Sequence, residues 1–120
     1  MTNFQDLEKT ARALVAPKKG ILAADESSPT IKKRFDSIGV ESTEDNRRFY
    51  RELLFTAKGA EDYISGVILY EETLRQKAST GTPLARVLAD KGIIPGIKVD
   101  KGTKPLPMCP NEQITEGLDG

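Results

Sequence analysis

The sequence predicts an α/β fold built on a parallel sheet, on three observations. Short apolar runs alternate along the chain with segments of helical periodicity. The runs "ILAA" (21–24), "YISGVILY" (63–70) and "IIPGIKVD" (93–100) are apolar on both alternating sets of positions, as in strands covered on two faces. Proline and glycine stand where the helical segments should start and stop.

The first segment reads as an amphipathic helix. Phe4, Leu7, Ala11, Leu14 and Val15 recur at three- and four-residue spacing, with Thr2 or Asn3 as N-cap and Pro17 as the stop. After "KKG" comes the first strand, 21–24. The next helix should start at Ser27 or Ser28, since serine caps well and Pro29 suits the first helical position, and it should end near Gly39. "ESTEDN" opens another helix, where Ser42 and Asp45 have capping-box spacing. Its apolar face carries Phe49, Leu53 and Ala57, it closes at Gly59, and its charged side reads as solvated surface. The second strand spans 63–70. "TPLARVLADKG" is a helix with Pro83 near its start and Gly92 past its end, and the third strand spans 93–100. "KGTKPLPMCP" reads as a proline-rich loop, and "NEQITEGLDG" as the lead-in to further chain.

Three strands are few for an α/β domain, and a complete eight-stranded barrel takes about 250 residues. The expectation is therefore an N-terminal portion of a larger fold, about three strands with flanking helices. No internal repeat or low-complexity segment is visible.

Composition narrows the function classes. Hydrophobic residues make up 38% of the 120, enough with the 10 glycines for a packed core. The 18 basic and 18 acidic residues cancel, which removes the electrostatic case for nucleic acid or an anionic membrane as a bulk partner. Cys109, flanked by Pro107 and Pro110 within two residues on either side, is the single cysteine, so no internal disulfide forms and a reducing, cytoplasmic setting is expected. Histidine is absent, so acid–base work falls to Asp, Glu, Lys or Tyr. The N-terminal segment has early acids and no long apolar stretch, unlike a secretory signal. No run approaches the roughly 20 apolar residues of a membrane helix.

Strand alternation organises the candidate site. Ile21, Ala23 and Asp25 share one face of their strand. In "GIKVDKG", Ile97 and Val99 share a face opposite Gly96, Lys98 and Asp100. If Ile97 and Val99 pack on helices, Lys98 and Asp100 point into a barrel, with Asp25 at the carboxyl end of its strand, where such folds hold their sites. The cluster reads either as a structural ion pair or as a lysine poised on a carbonyl or phosphate with an acid to move protons.

Ser27, Ser28 and Thr30 sit at a helix start, where free N–H groups favour an anion, and Lys32, Lys33 and Arg34 follow. The group reads as a phosphate cradle or as ordinary capping beside a solvated basic face. It is not a P-loop, lacking the Gly-Lys-Ser/Thr ending. Glu71 and Glu72 either reach the same mouth or cap the next helix.

Four motifs in order, "KGILAADES" (19–27), "ESTEDNRRFYR" (41–51), "GVILYEETL" (66–74) and "GIKVDKG" (96–102), with "EGLDG" after them, resemble the class I fructose-bisphosphate aldolases over nearly the whole chain. The resemblance implies residues 1–120 of a single (β/α)8 TIM barrel, with no second domain. It implies reversible cleavage of fructose 1,6-bisphosphate to dihydroxyacetone phosphate and glyceraldehyde 3-phosphate, in glycolysis and gluconeogenesis. It further implies a lysine Schiff base without metal or other cofactor, a cytoplasmic location and a homo-oligomer, a tetramer in this family. Absent histidine fits, since the metal-dependent aldolases hold zinc with His.

Carried over by position, Asp25 resembles the proton-handling aspartate and Lys98 the lysine near the substrate hydroxyls. Ser27, Thr30, Lys33 and Arg34 fall where the family contacts substrate, the last two on the phosphate side. Thr30 replaces a frequent serine, and Pro29 stands where many members have glycine. The Schiff-base lysine and the main acid–base glutamate are implied beyond Gly120. Interior-facing Lys98 would otherwise be the nominated nucleophile; the resemblance makes it a helper and the 120 residues alone inactive.

Overall fold

The computed structural model describes residues 3–119. Helix α1 (Phe4–Leu14) is capped by Asn3, whose side chain accepts from the Gln5 N–H at 3.1 Å; Thr2, the other candidate cap, lies outside the described residues. Strand β1 (Gly20–Ala24) leads to α2 (Ser28–Asp36), α3 (Glu44–Thr56) and the single turn α4 (Ala60–Tyr63). Strand β2 (Ile64–Leu69), the short α5 (Glu71–Arg75), α6 (Leu84–Asp90) and β3 (Ile94–Ile97) complete an α/β layer. The three strands pair in parallel in the order β1-β2-β3.

Register sorts the residues into two faces, because parallel partners point the same way. Leu22, Val67 and Pro95 form one row, and Ala24, Leu69 and Ile97 the next. This face meets the helices: Ala24, Val67 and Leu69 pack with Phe55 of α3, Leu84 and Leu88 of α6, and Ala78 and Ile93 in one core. On the opposite face lie Ile21, Gly66 and Ile94, then Ala23, Ile68 and Gly96.

Two-sided burial holds for β2 alone. Strands β1 and β3 are both edges, each paired only with β2 among the described residues, and apolar side chains on both stay open; Ile21 is 48% exposed. Ile97 and Val99 are exposed rather than packed on helices, although Ile97 shares its row with buried Leu69. Helix α1 crosses the open face only at its end. Ser65 donates to the Leu14 carbonyl at 2.6 Å, and a cleft of about 250 Å³ runs between Thr10, Leu14, Ile21, Ile68 and Ile94. Phe4, Leu7 and Val15 of the predicted apolar stripe remain exposed.

The predicted loop and lead-in are instead a hairpin, β4 (Thr103–Leu106) with β5 (Cys109–Thr115), antiparallel. Its turn uses Pro107 followed by Met108 at φ 65°, the positive φ that a type II turn requires in second place. Prolines fit because a two-stranded ribbon is all edge. Gly117 (φ 92°) closes the base: a Cβ there would stand 2.8 Å from the Lys101 nitrogen and 3.0 Å from the Val99 oxygen. Lys101 N–H donates to Glu116 and Glu116 N–H to Gly102, at 2.8 and 2.9 Å. The hairpin thereby fixes the loop that leaves β3.

Candidate functional site

The carboxyl ends of β1 and β3 bring the sequence-predicted acid and amine together. Continuing the register of the open face by two residues sets Asp25, Tyr70 and Lys98 in one row, and the Lys98 N–H donates to the Leu69 carbonyl at 2.9 Å. Lys98 Nζ lies 3.8 Å from Asp25 Oδ2 and hydrogen-bonds Asp100 more closely. Asp100 in turn accepts from the Gly102 N–H at 2.9 Å, so the hairpin loop orients it. All three side chains are about a quarter to a third exposed, at a mouth open to solvent.

Electrostatics sets the state of the lysine. The hydrogen bond to Asp100 holds the Lys98 ammonium above its ordinary titration range, aided by the charges of Asp100 and Asp25, and outweighs the opposing effect of burial. The Lys98 hydrogen bond holds Asp100 below the usual carboxylate range, with help from the Gly102 N–H. The pairing thus favours the ammonium form of Lys98. Nucleophilic attack on a carbonyl needs the neutral amine, the form that pairing with these carboxylates disfavours.

Alternation sends the next residue the other way. The Glu26 side chain is 7% exposed and turns toward the helices, where it meets Arg51 at 3.3 Å and Arg34 at 2.5 Å. Arg34 thus reaches from α2 to Glu26, while 60% of its side chain stays in solvent. Of the other basic residues of α2, Lys32 pairs with Asp36, and Lys33 is exposed with no ion pair among the described residues. Ser27 holds the N-cap position of α2, yet its side chain does not cap the helix; its hydroxyl meets that of Thr30 at 3.1 Å.

The inward face of α3 departs from the sequence reading. Phe49 and Leu53 are 59% and 58% exposed, while Arg51 is fully buried with Phe55. The cap is Thr43 rather than Ser42. Strands β1 and β2 each run out into a pair of acids, and the inner carboxylates Glu26 and Glu72 draw the arginines of α3 inward. Arg47 grips Glu72 with two hydrogen bonds, at 2.6 and 2.8 Å. That bond raises Arg47 above its ordinary range and holds Glu72 below its own. Glu71 pairs with Arg75 on the surface, so both acids occupy the first turn of α5, and Glu72 also binds α3. Arg51 and Glu26 are the residues the pattern missed. The available signal was the 47/51/55 spacing, one helix stripe facing the acids at two strand ends.

Comparison with known proteins agrees with this architecture. The family described as fructose-bisphosphate aldolase class-I matches residues 6–120. A probable fructose-bisphosphate aldolase class 1 of Xanthomonas campestris pv. campestris is 59% identical over 118 residues, covering 98% of this chain and 35% of that protein. Fructose-bisphosphate aldolase 1 of Toxoplasma gondii is 62% identical over 116 residues, covering 97% and 32%. A solved structure of the Plasmodium falciparum aldolase, in complex with TRAP and a small-molecule inhibitor, superposes with a TM-score of 0.89 at 55% identity. That match covers 97% of this chain and 33% of the other. The chain spans about a third of the length of the relatives it matches, and its three parallel strands with flanking helices are the corresponding part of an aldolase barrel. The strand-end acids, the lysine facing them and these matches together place the chain in the class I fructose-bisphosphate aldolase family.

Proposed function

We propose that residues 1–120 are the N-terminal third of a single (β/α)8 domain, without a second domain, that cleaves fructose 1,6-bisphosphate reversibly through a Schiff base. The observation that carries this reading is the ammonium of Lys98 between Asp25 and Asp100 at the strand mouth. Cleaving a carbon–carbon bond beside a carbonyl needs an electron sink and a group to move the hydroxyl proton. The iminium is the sink; its nitrogen comes from a neutral lysine outside residues 1–120. Asp25 moves protons, and Lys98 steadies negative charge on the substrate oxygens.

Ser27, Thr30, Lys33 and Arg34 serve the phosphate end. The Ser27 hydroxyl, not spent on capping, is available to an anion, and Arg34 keeps donors beyond the one that Glu26 engages. A sugar phosphate as substrate, no metal or other cofactor, and no nucleic-acid or membrane partner belong to the same reading. So do a glycolytic role in the cytoplasm and a homotetrameric parent. Among the described residues no helix is long and apolar enough to cross a membrane.

A borohydride trap tests the assignment. A full-length chimera, with this chain replacing the matching third of the Xanthomonas relative, should form a covalent adduct with dihydroxyacetone phosphate. The 120-residue chain should form none. An adduct mapped to Lys98 in either protein would overturn the division of labour. A second reading, a non-enzymatic interaction module with residual sugar-phosphate binding, draws on the two unpaired sheet edges. Failure of the chimera to form any adduct would favour it.

A further inference from the structure

We infer that Arg51 is a positioning residue for Asp25, an assignment that rests on the functional reading above. Arg51 reaches from α3 to the two peptide carbonyls that flank this aspartate. Its Nε donates to the Ala24 oxygen at 3.3 Å and its Nη2 to the Glu26 oxygen at 2.8 Å. Strand β1 ends at Ala24, and the Asp25–Glu26 backbone beyond it has no strand to hold it among the described residues. The guanidinium supplies that hold. The same Nη2 lies 3.3 Å from Glu26 Oε2, and this bond turns the Glu26 side chain inward. With Glu26 facing the core, alternation leaves Asp25 aimed at the mouth, 3.8 Å from Lys98 Nζ.

Packing alone does not account for an arginine here. The side chain is wholly buried, and its Nη1 has no hydrogen-bond partner among the described residues. An orphaned buried donor is costly, and an apolar side chain of similar volume would fill the space without that cost. What an apolar residue cannot do is bridge carbonyls on either side of one residue. The guanidinium fork does so in a single plane.

The test uses the full-length chimera, with turnover counted per borohydride-trapped site so that misfolded protein does not enter. Arg51→Lys keeps the charge and loses the two-armed reach. We expect kcat to fall about 10- to 100-fold with KM changed less than about twofold, the signature of a displaced reacting group. A purely structural role would lower the number of trapped sites and leave turnover per site intact; that result overturns the inference. Should Arg51→Lys not fold, Arg51→Gln carries the test, since its shorter amide cannot bridge the Ala24 and Glu26 carbonyls as the guanidinium does. A loss of at least about threefold in kcat supports the inference, and unchanged turnover per site refutes it. Asp25→Asn separates the two levels. If it leaves turnover intact, the reading of Asp25 itself fails; if it abolishes turnover while Arg51→Lys does not, only the positioning role fails. An unsubstituted chimera without turnover overturns both.

Discussion

Asp25→Asn in the full-length chimera is expected to lower kcat by about 100- to 10,000-fold while leaving KM within a few-fold. Asparagine matches aspartate in shape and can still hydrogen-bond, so substrate contacts survive. What it lacks is a carboxylate able to take and return a proton, and that belongs to the chemical step. The geometry concentrates the effect on this residue: Asp100 is committed to Lys98 and to the Gly102 N–H, and Glu26 faces the core. Neither can stand in. Steady-state cleavage rates with fructose 1,6-bisphosphate measure the split directly. Near-normal turnover would leave the Asp25–Lys98 contact as a structural ion pair, the alternative that spacing alone leaves open.

The second large effect is on stability. Arg51→Ala in the 120-residue chain should cost about 3–5 kcal/mol, as when one partner of a buried ion pair is removed. Glu26 would remain almost fully buried, and the carbonyls of Ala24 and Glu26 would lose their donor. Arg34 stays beside Glu26 but is mostly in solvent, where an ion pair contributes little. Against the roughly 5–15 kcal/mol of a whole native domain, such a loss is severe. Urea denaturation followed by circular dichroism measures it. A midpoint unchanged from the parent chain would mean that the buried guanidinium contributes nothing net.

The parallel sense of the strands and the convergence of Asp25 on Lys98 were legible because both follow from period. Two-residue alternation fixes which side chains share a face, and apolar runs separated by helices fix the parallel sense. Period does not say which face of an amphipathic helix wins the interior when charged partners wait there. In α3 the Phe49 and Leu53 stripe lost to the arginines, because Glu26 and the partly buried Glu72 wait at strand ends far away in sequence. Nor does it show coverage. The open side of the sheet and the stripe of α1 read as core, yet remain exposed, with no further strand beside the sheet among the described residues. The hairpin was hidden by its prolines, which argue against a central strand but not against a ribbon with two edges. A turn of Pro107 with positive-φ Met108 lacks the glycine that would have marked it.

The division of labour between Lys98 and the Schiff-base lysine depends on the protonation of one amine. Titration of the Lys98 side-chain nitrogen by 15N NMR, in the 120-residue chain, reads it directly. The carboxylate partners predict deprotonation only above the ordinary lysine range, with a downward move when Asp100 is replaced by Asn. A Lys98 that loses its proton near neutral pH would be a free nucleophile, and the assignment of the Schiff base to another lysine would fall.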